Sequence, residues 1–131
     1  MTTFVDTSAL VALVDATDSN HERARATLLD PTLANSFATH NYVVVEAVTV
    51  TQKRFGSPAV RDLVERILPL VDVVWVTPGP HNNALSALVA SNRRGLSFVD
   101  LVSFELMRQR DIDTAFAFDR DFRRQGFRTI P

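Results

Sequence analysis

Four acidic residues stand beside strongly apolar sequence in this chain. Asp6 lies in Phe4-Val5-Asp6-Thr7-Ser8-Ala9-Leu10, Glu46 follows Tyr42-Val43-Val44-Val45, Asp100 follows Ser97-Phe98-Val99, and Asp119 lies in Phe116-Ala117-Phe118-Asp119-Arg120-Asp121-Phe122. An ionised carboxylate taken out of water without a partner loses its hydration and gains nothing back, so acids seldom follow runs this apolar. If the fold brings the four together, their mutual repulsion has one common remedy, a bound divalent cation. Oxygen-only ligation selects hard cations, Mg²⁺ or Mn²⁺. A water kept on such an ion has a lowered pKa and can attack a phosphorus in line, so the expected chemistry is direct hydrolysis.

Each acid also has a structural role open to it. Asp6 and Asp119 end strand-like segments and can cap the helices that follow. Ser97-Phe98-Val99-Asp100 fits a capping box, in which the acid at the third helical position bonds back to the serine amide. Glu46 has no cap to satisfy and no basic residue before Lys53, which points to a buried negative charge or a raised pKa. Asp121 is a peripheral fifth candidate: an irregular turn would let it reach the same ion, whereas a regular helix would turn it away. The histidines, His21, His40 and His81, occur singly, without the i, i+4 pairing of a helical zinc site. His40 reads as a loop histidine, close enough to the Glu46 segment to contact substrate.

The elements that must position these residues alternate. Strands are expected at Phe4-Val5, about Asn35 to Ala38, Val71 to Val76, Thr114 to Phe118 and near Phe127 to Ile130. Helices are expected from about Ser8 to Val14, His21 to Leu29, through the Val60 to Leu68 stripe, His81 to Asn92, Ser97 to Gln109 and Arg120 to Arg124. Asn41 to Lys53 is ambiguous, since its valines favour strand while its length and lack of breakers suit a buried helix. Strands separated by helices imply an α/β fold, a mostly parallel central sheet with helices on both faces. In such sheets ligands bind beyond the carboxyl ends of the strands, which puts Asp6 and Asp119 at the crevice rim.

A chain of 131 residues is expected to be one domain, residues 1–131, large enough for a real core. No apolar run reaches the roughly 18 residues of a membrane span. There is no cysteine, hence no disulfide framework and no thiol nucleophile. Met1-Thr2-Thr3 leads straight into strand-like sequence without a charged leader, and a cytoplasmic protein is the simplest expectation. The net charge of −1 hides an uneven arrangement, with Arg93, Arg94, Arg108, Arg110, Arg120, Arg123, Arg124 and Arg128 in the last third. Arginine's planar fork suits phosphate, so nucleic acid is permitted as a partner.

The ordered motifs closely resemble the PIN domain, specifically the VapC-type ribonuclease toxins of toxin–antitoxin modules, over the whole chain. Val5-Asp6-Thr7-Ser8-Ala9-Leu10 is similar to the family's opening signature, Thr39-His40-Asn41-Tyr42-Val43-Val44-Val45-Glu46 to its second motif, Leu96-Ser97-Phe98-Val99-Asp100 to the third and Phe118-Asp119-Arg120-Asp121-Phe122 to the fourth. The resemblance implies a single PIN-like domain and a helix over Asn41 to Lys53. It implies metal-binding, catalytic acids at Asp6, Glu46, Asp100 and Asp119, with Thr7 or Ser8 as a hydroxyl that orients a carboxylate or bound water. The implied activity is Mg²⁺-dependent internal cleavage of RNA, tRNA or another structured RNA, with Mn²⁺ able to substitute. Arg93, Arg94, Arg120 and Arg123 would hold flanking phosphates. The implied partners are a cognate VapB-type antitoxin, a second toxin copy in a homodimer, and the hetero-oligomer of the two.

Two other classes are open to a chain of this length. A receiver-type phosphoacceptor domain requires a neighbouring pair of acids after the first strand and a lysine after the last parallel strand; here Thr7 follows Asp6 and the single lysine is Lys53. A non-catalytic module that binds RNA or a partner would not need a full acid set.

Overall fold

In the computed structural model, residues 1–91 and 95–131 are described. Five short strands, β1 (Thr3–Val5), β2 (Phe37–His40), β3 (Asp72–Val74), β4 (Thr114–Phe116) and β5 (Arg128–Ile130), form one sheet in the order β3-β2-β1-β4-β5. Every pairing is parallel. Phe4 stands opposite Ala38 on one side and Ala115 on the other. The chain builds outward from β1 in one direction through β2 and β3, then returns to its other side for β4 and β5. The carboxyl ends of β1 and β4 therefore flank a switch point, where an open parallel sheet leaves a crevice.

Seven α-helices are described: α1 (Thr7–Val14), α2 (His21–Leu28), α3 (Asn41–Phe55), α4 (Ser57–Asp62), α5 (Pro78–Ala90), α6 (Phe98–Gln109) and α7 (Asp121–Arg124). The segment of ambiguous propensity is helical. Val43, Ala47 and Thr51 recur at four-residue intervals and are buried, so the packed stripe overrides the strand preference of its valines. Lys53 and Arg54 sit in its last turn, where the helix dipole favours cations, and Gly56 ends it at φ 80°.

Several boundaries differ from expectation, β3 and β4 among them, which end at Val74 and Phe116 rather than at Val76 and Phe118. β2 starts at Phe37, because Asn35 adopts φ 63° and completes the preceding turn. The Val60 to Leu68 stripe is not one regular helix: after α4 the chain widens into a π turn at Leu63–Ile67 and tightens into a 3-10 turn at Leu68–Leu70. Pro69 lacks the N–H that would continue the ladder, and its ring crowds the carbonyl four residues back. α5 begins at Pro78, since the N–H groups of a first turn need no intrahelical acceptor and Pro78-Gly79-Pro80 can occupy it. It ends at Ala90, before the Asn92 anticipated.

The core lies where β1 and β4 meet α1, α6 and α7. Phe4, Phe104, Phe116 and Phe122 are almost completely buried together with Leu10 and Met107. Each such side chain contributes roughly 1.5–3 kcal/mol by leaving water. Phe104 packs edge-on against Phe122 at 5.0 Å between ring centroids, which fixes α6 against α7. Those two helices carry Asp100 and Asp121. No helix among the described residues is long and apolar enough to cross a membrane.

Candidate metal centre at the carboxyl edge of the sheet

Asp6 directly follows the central strand and is 4% exposed. It is the N-cap of α1: its Oδ2 accepts from the Ser8 amide at 3.1 Å and the Ser8 hydroxyl at 2.6 Å. The same Ser8 Oγ accepts the Phe118 amide N–H at 3.1 Å, joining the first motif to the residue before Asp119. Burial pushes the Asp6 carboxyl up to about 6, the Ser8 bonds oppose the rise, and the Asp100 and Asp119 charges add to it.

Asp100 sits in the first turn of α6 within a complete capping box. Its Oδ2 accepts from the Ser97 amide at 3.1 Å while Ser97 Oγ accepts from the Asp100 amide at 3.0 Å. Partial burial raises its pKa, and the charges of Asp119 and Glu46 raise it further, against the Ser97 hydrogen bonds. Asp119 lies in the turn between β4 and α7, where its Oδ1 accepts from the Asp121 amide at 2.8 Å. Oxygens of Asp100, Asp119 and Asp121 all lie within 4.8 Å of one another. Asp121, although it opens α7, is thus brought to the cluster, and it also meets Arg124 at 3.4 Å.

A common device orders these carboxylates. Asp6, Asp100 and Asp119 each commit one oxygen to N–H or O–H donors of nearby chain, leaving the second without a donor among the described residues. Capping and ligation are therefore compatible: the cap fixes the rotamer, and the other oxygen is left for a cation. Glu46, on α3, is half-buried, less enclosed than its apolar neighbours suggest, and its charge is felt at Asp100.

The donor set fits a hard divalent cation. It is all oxygen, it gathers like charges that repel in the absence of an ion, and the Thr7 hydroxyl next to Asp6 is buried without a hydrogen-bond partner among the described residues.

His40 is no loop histidine. It ends β2, is completely buried, and its Nδ1 accepts from the amides of Tyr42 and Val43 as the N-cap of α3. Amides can only donate, so Nδ1 carries no proton and Nε2 does, donating to Ser103 Oγ at 2.8 Å. Burial lowers its pKa to about 4. Thr39 Oγ1 donates to the carbonyl of Val5 at 2.7 Å, securing the chain just before Asp6.

Of the arginines proposed as phosphate contacts, Arg120 and Arg123 line a cavity with Asp119. Arg93 and Arg94 lie outside the described residues. Sequence reasoning passed over Arg23, Lys53 and Arg54, which the fold brings to the two cavities beside the acids. Their signal was present on α3, where Glu46, Val50, Lys53 and Arg54 recur at helical spacing.

Residues 3–128 match the model of the PIN domain family. Two strains of Mycobacterium tuberculosis encode proteins named "23S rRNA-specific endonuclease VapC20", each 38% identical over 125 residues, covering 95% of this chain and 94% of theirs. The crystal structure of M. tuberculosis VapC20, described as a sarcin–ricin loop cleaving toxin, superposes with a TM-score of 0.84 at 36% identity over 96% of each chain. PAE2754 from Pyrobaculum aerophilum shares the fold, with a TM-score of 0.69 at 20% identity over 98% of this chain and 90% of its own. The chain belongs to the PIN-domain family and to its VapC type.

Proposed function

We propose that this VapC-type PIN domain is a metal-dependent endoribonuclease toxin that hydrolyses phosphodiester bonds inside a structured RNA. The observation that carries the reading is the meeting of Asp100, Asp119 and Asp121 at the switch point of a parallel sheet. Asp6 and Glu46 stand outside that tight group but near enough for charge to act between Asp6 and both Asp100 and Asp119, and between Glu46 and Asp100. Asp6, Glu46, Asp100 and Asp119 would hold Mg²⁺, or Mn²⁺ in its place, with Asp121 at the edge of the set. When bound, the ion supplies a water of lowered pKa and offsets charge on the phosphoryl oxygens.

The chain's own residues prepare that chemistry. Ser8 orients the Asp6 carboxylate, and the Ser97 amide does so for Asp100. Asp6, whose carboxyl burial pushes up to about 6, would give up its proton more readily with a cation on the oxygen that Ser8 leaves. Thr7, whose hydroxyl has no described partner, would hydrogen-bond a ligand water. Arg120 and Arg123, with Arg93 and Arg94, would hold phosphates on either side of the bond cut.

The names of the relatives favour ribosomal RNA over tRNA as the structured substrate. The VapC type supports a VapB-type antitoxin as the cognate partner, with a homodimer of this chain inside the hetero-oligomer. Incubating the purified protein with ribosomal RNA and Mn²⁺, then mapping new 5′ ends, tests the activity. Discrete cuts that EDTA and Asp100→Asn both abolish are expected; cuts surviving thorough chelation would remove the metal from the reaction.

A further inference from the structure

Two cavities adjoin the acidic centre on its α1 and α2 side. The larger, about 670 Å³, has Ser8, Asn20, Val50, Lys53, Arg54 and Phe118 in its wall. The smaller, about 210 Å³, has Asn20, Arg23, Phe118, Asp119, Arg120 and Arg123. Asn20 and Phe118 belong to both, so the two cavities share part of their wall. Ser8, which binds Asp6, and Asp119 connect both cavities to the candidate metal centre.

Five cationic side chains therefore line two cavities that have Phe118 in common. The two ion pairs among the described residues are Arg66–Asp62 and Arg124–Asp121, and neither uses these five. The Arg23 guanidinium lies over Phe118 at 5.7 Å from the ring centroid and reaches Asn20 Oδ1 at 3.4 Å, while Arg123 Nε donates to Thr129 Oγ1 at 2.6 Å. Neutral contacts thus position Arg23 and Arg123, whereas the charge of Arg54 is also felt at Asp15. Asp18 also lines the larger cavity; its Oδ1 accepts from the Asn20 amide at 2.7 Å, and its charge offsets part of the positive field there.

We propose that these adjoining cavities form a track for the single-stranded segment of the RNA next to the bond that is cut. Successive phosphates lie on Lys53 and Arg54 in one cavity and on Arg23, Arg120 and Arg123 in the other, and the intervening base rests against Phe118 and the guanidinium above it. Cations along a groove with an aromatic platform are what a single strand requires, since backbone charge and base stacking are then met together. Spacing on α3 aligns the track with the centre, because Lys53 and Arg54 lie two helical turns beyond Glu46. The assignment rests on the endonuclease reading for its substrate, but it concerns binding and can fail by itself.

Fluorescence anisotropy of a labelled single-stranded RNA with the full chain in EDTA tests it. The variants are Arg23→Gln/Lys53→Gln/Arg54→Gln, Phe118→Leu and the surface control Arg61→Gln, each checked for cooperative unfolding, with Lys53→Gln alone as the mildest charge change. The slope of log affinity against log salt is expected to fall by about 0.7 per cation removed, hence about 2 in the triple variant. Phe118→Leu is expected to weaken binding about tenfold with the slope unchanged, and Arg61→Gln to change nothing. An unaltered slope in the triple variant, or equal losses in the control, would overturn the track. So would poly-glutamate binding as tightly as RNA, which would make the groove an acidic-peptide site. Cleavage in Mn²⁺ is scored separately: RNA binding through these residues without cleavage removes the nuclease reading and keeps the track, whereas cleavage with unaltered binding in every variant removes the track alone.

Discussion

His40 donates from Nε2 to Ser103 Oγ at 2.8 Å, with both residues completely buried. The Ser103 hydroxyl in turn donates a hydrogen bond to the Val99 carbonyl at 2.9 Å. The bond ties the end of β2 to α6, one turn beyond Asp100, while Nδ1 of the same ring caps the helix that carries Glu46. One imidazole thus couples the placement of two candidate metal-binding acids. Ser103→Ala leaves the buried Nε2–H without an acceptor and is expected to cost about 1–3 kcal/mol in urea unfolding.

The metal-free protein should show two opposed titrations. His40 has its pKa lowered from 6.5 to about 4, so between those values the unfolded chain binds a proton that the folded one refuses. Stability from this group falls as pH drops through that window. Asp6 is raised from 3.8 to about 6, so the folded carboxyl keeps a proton that the unfolded one has released. Its contribution rises as pH drops from about 6 to 4. Each shift is worth about 3 kcal/mol, and they largely cancel. Asp6→Asn should therefore be about 3 kcal/mol more stable than the wild type in EDTA at pH 7, with the advantage gone near pH 4. Urea titrations at both pH values measure it, and an equal gain at both would contradict the burial argument.

The Ser8 hydroxyl binds Asp6 and receives the Phe118 amide, so it aligns the first and fourth motifs. Ser8→Ala is expected to lower kcat and Mn²⁺ affinity by about 10–100-fold. Calorimetric Mn²⁺ titration beside the cleavage rate separates this from simple destabilisation, which would leave affinity per folded molecule unchanged.

Asp121 shares the acid cluster but is also paired with Arg124. Asp121→Asn should weaken Mn²⁺ binding about tenfold, whereas Asp100→Asn and Asp119→Asn should abolish it together with cleavage. Equal losses in all three would make Asp121 a full ligand.

Much of this arrangement was legible in the sequence. The parallel sheet followed from alternating elements, and the Ser97 and Asp100 capping box from four consecutive residues. Local chemistry misled where the long-range context decided. Val43 to Val45 carry strand propensity, yet they lie on a helix because Val43 and Ala47 face the core. His40 read as a loop residue because its partner, Ser103, stands 63 positions away. Capping need not exclude ligation at Asp6 and Asp100, since a carboxylate has two oxygens and the fold uses one of each for capping, whereas Asp119 caps no helix, the N-cap of α7 being Arg120. Arg23, Lys53 and Arg54 were missed because only the tertiary fold brings them to cavities that share Phe118.

The central strand has a temporal consequence. β1 is made first, yet its neighbour β4 follows only after more than three quarters of the chain, and the Ser8 to Phe118 bond closes a separation of 110 residues. During synthesis Asp119 cannot join Asp6 until β4 has been made and has left the exit tunnel. A nascent chain that stops short of β4 therefore carries an incomplete set of these acids.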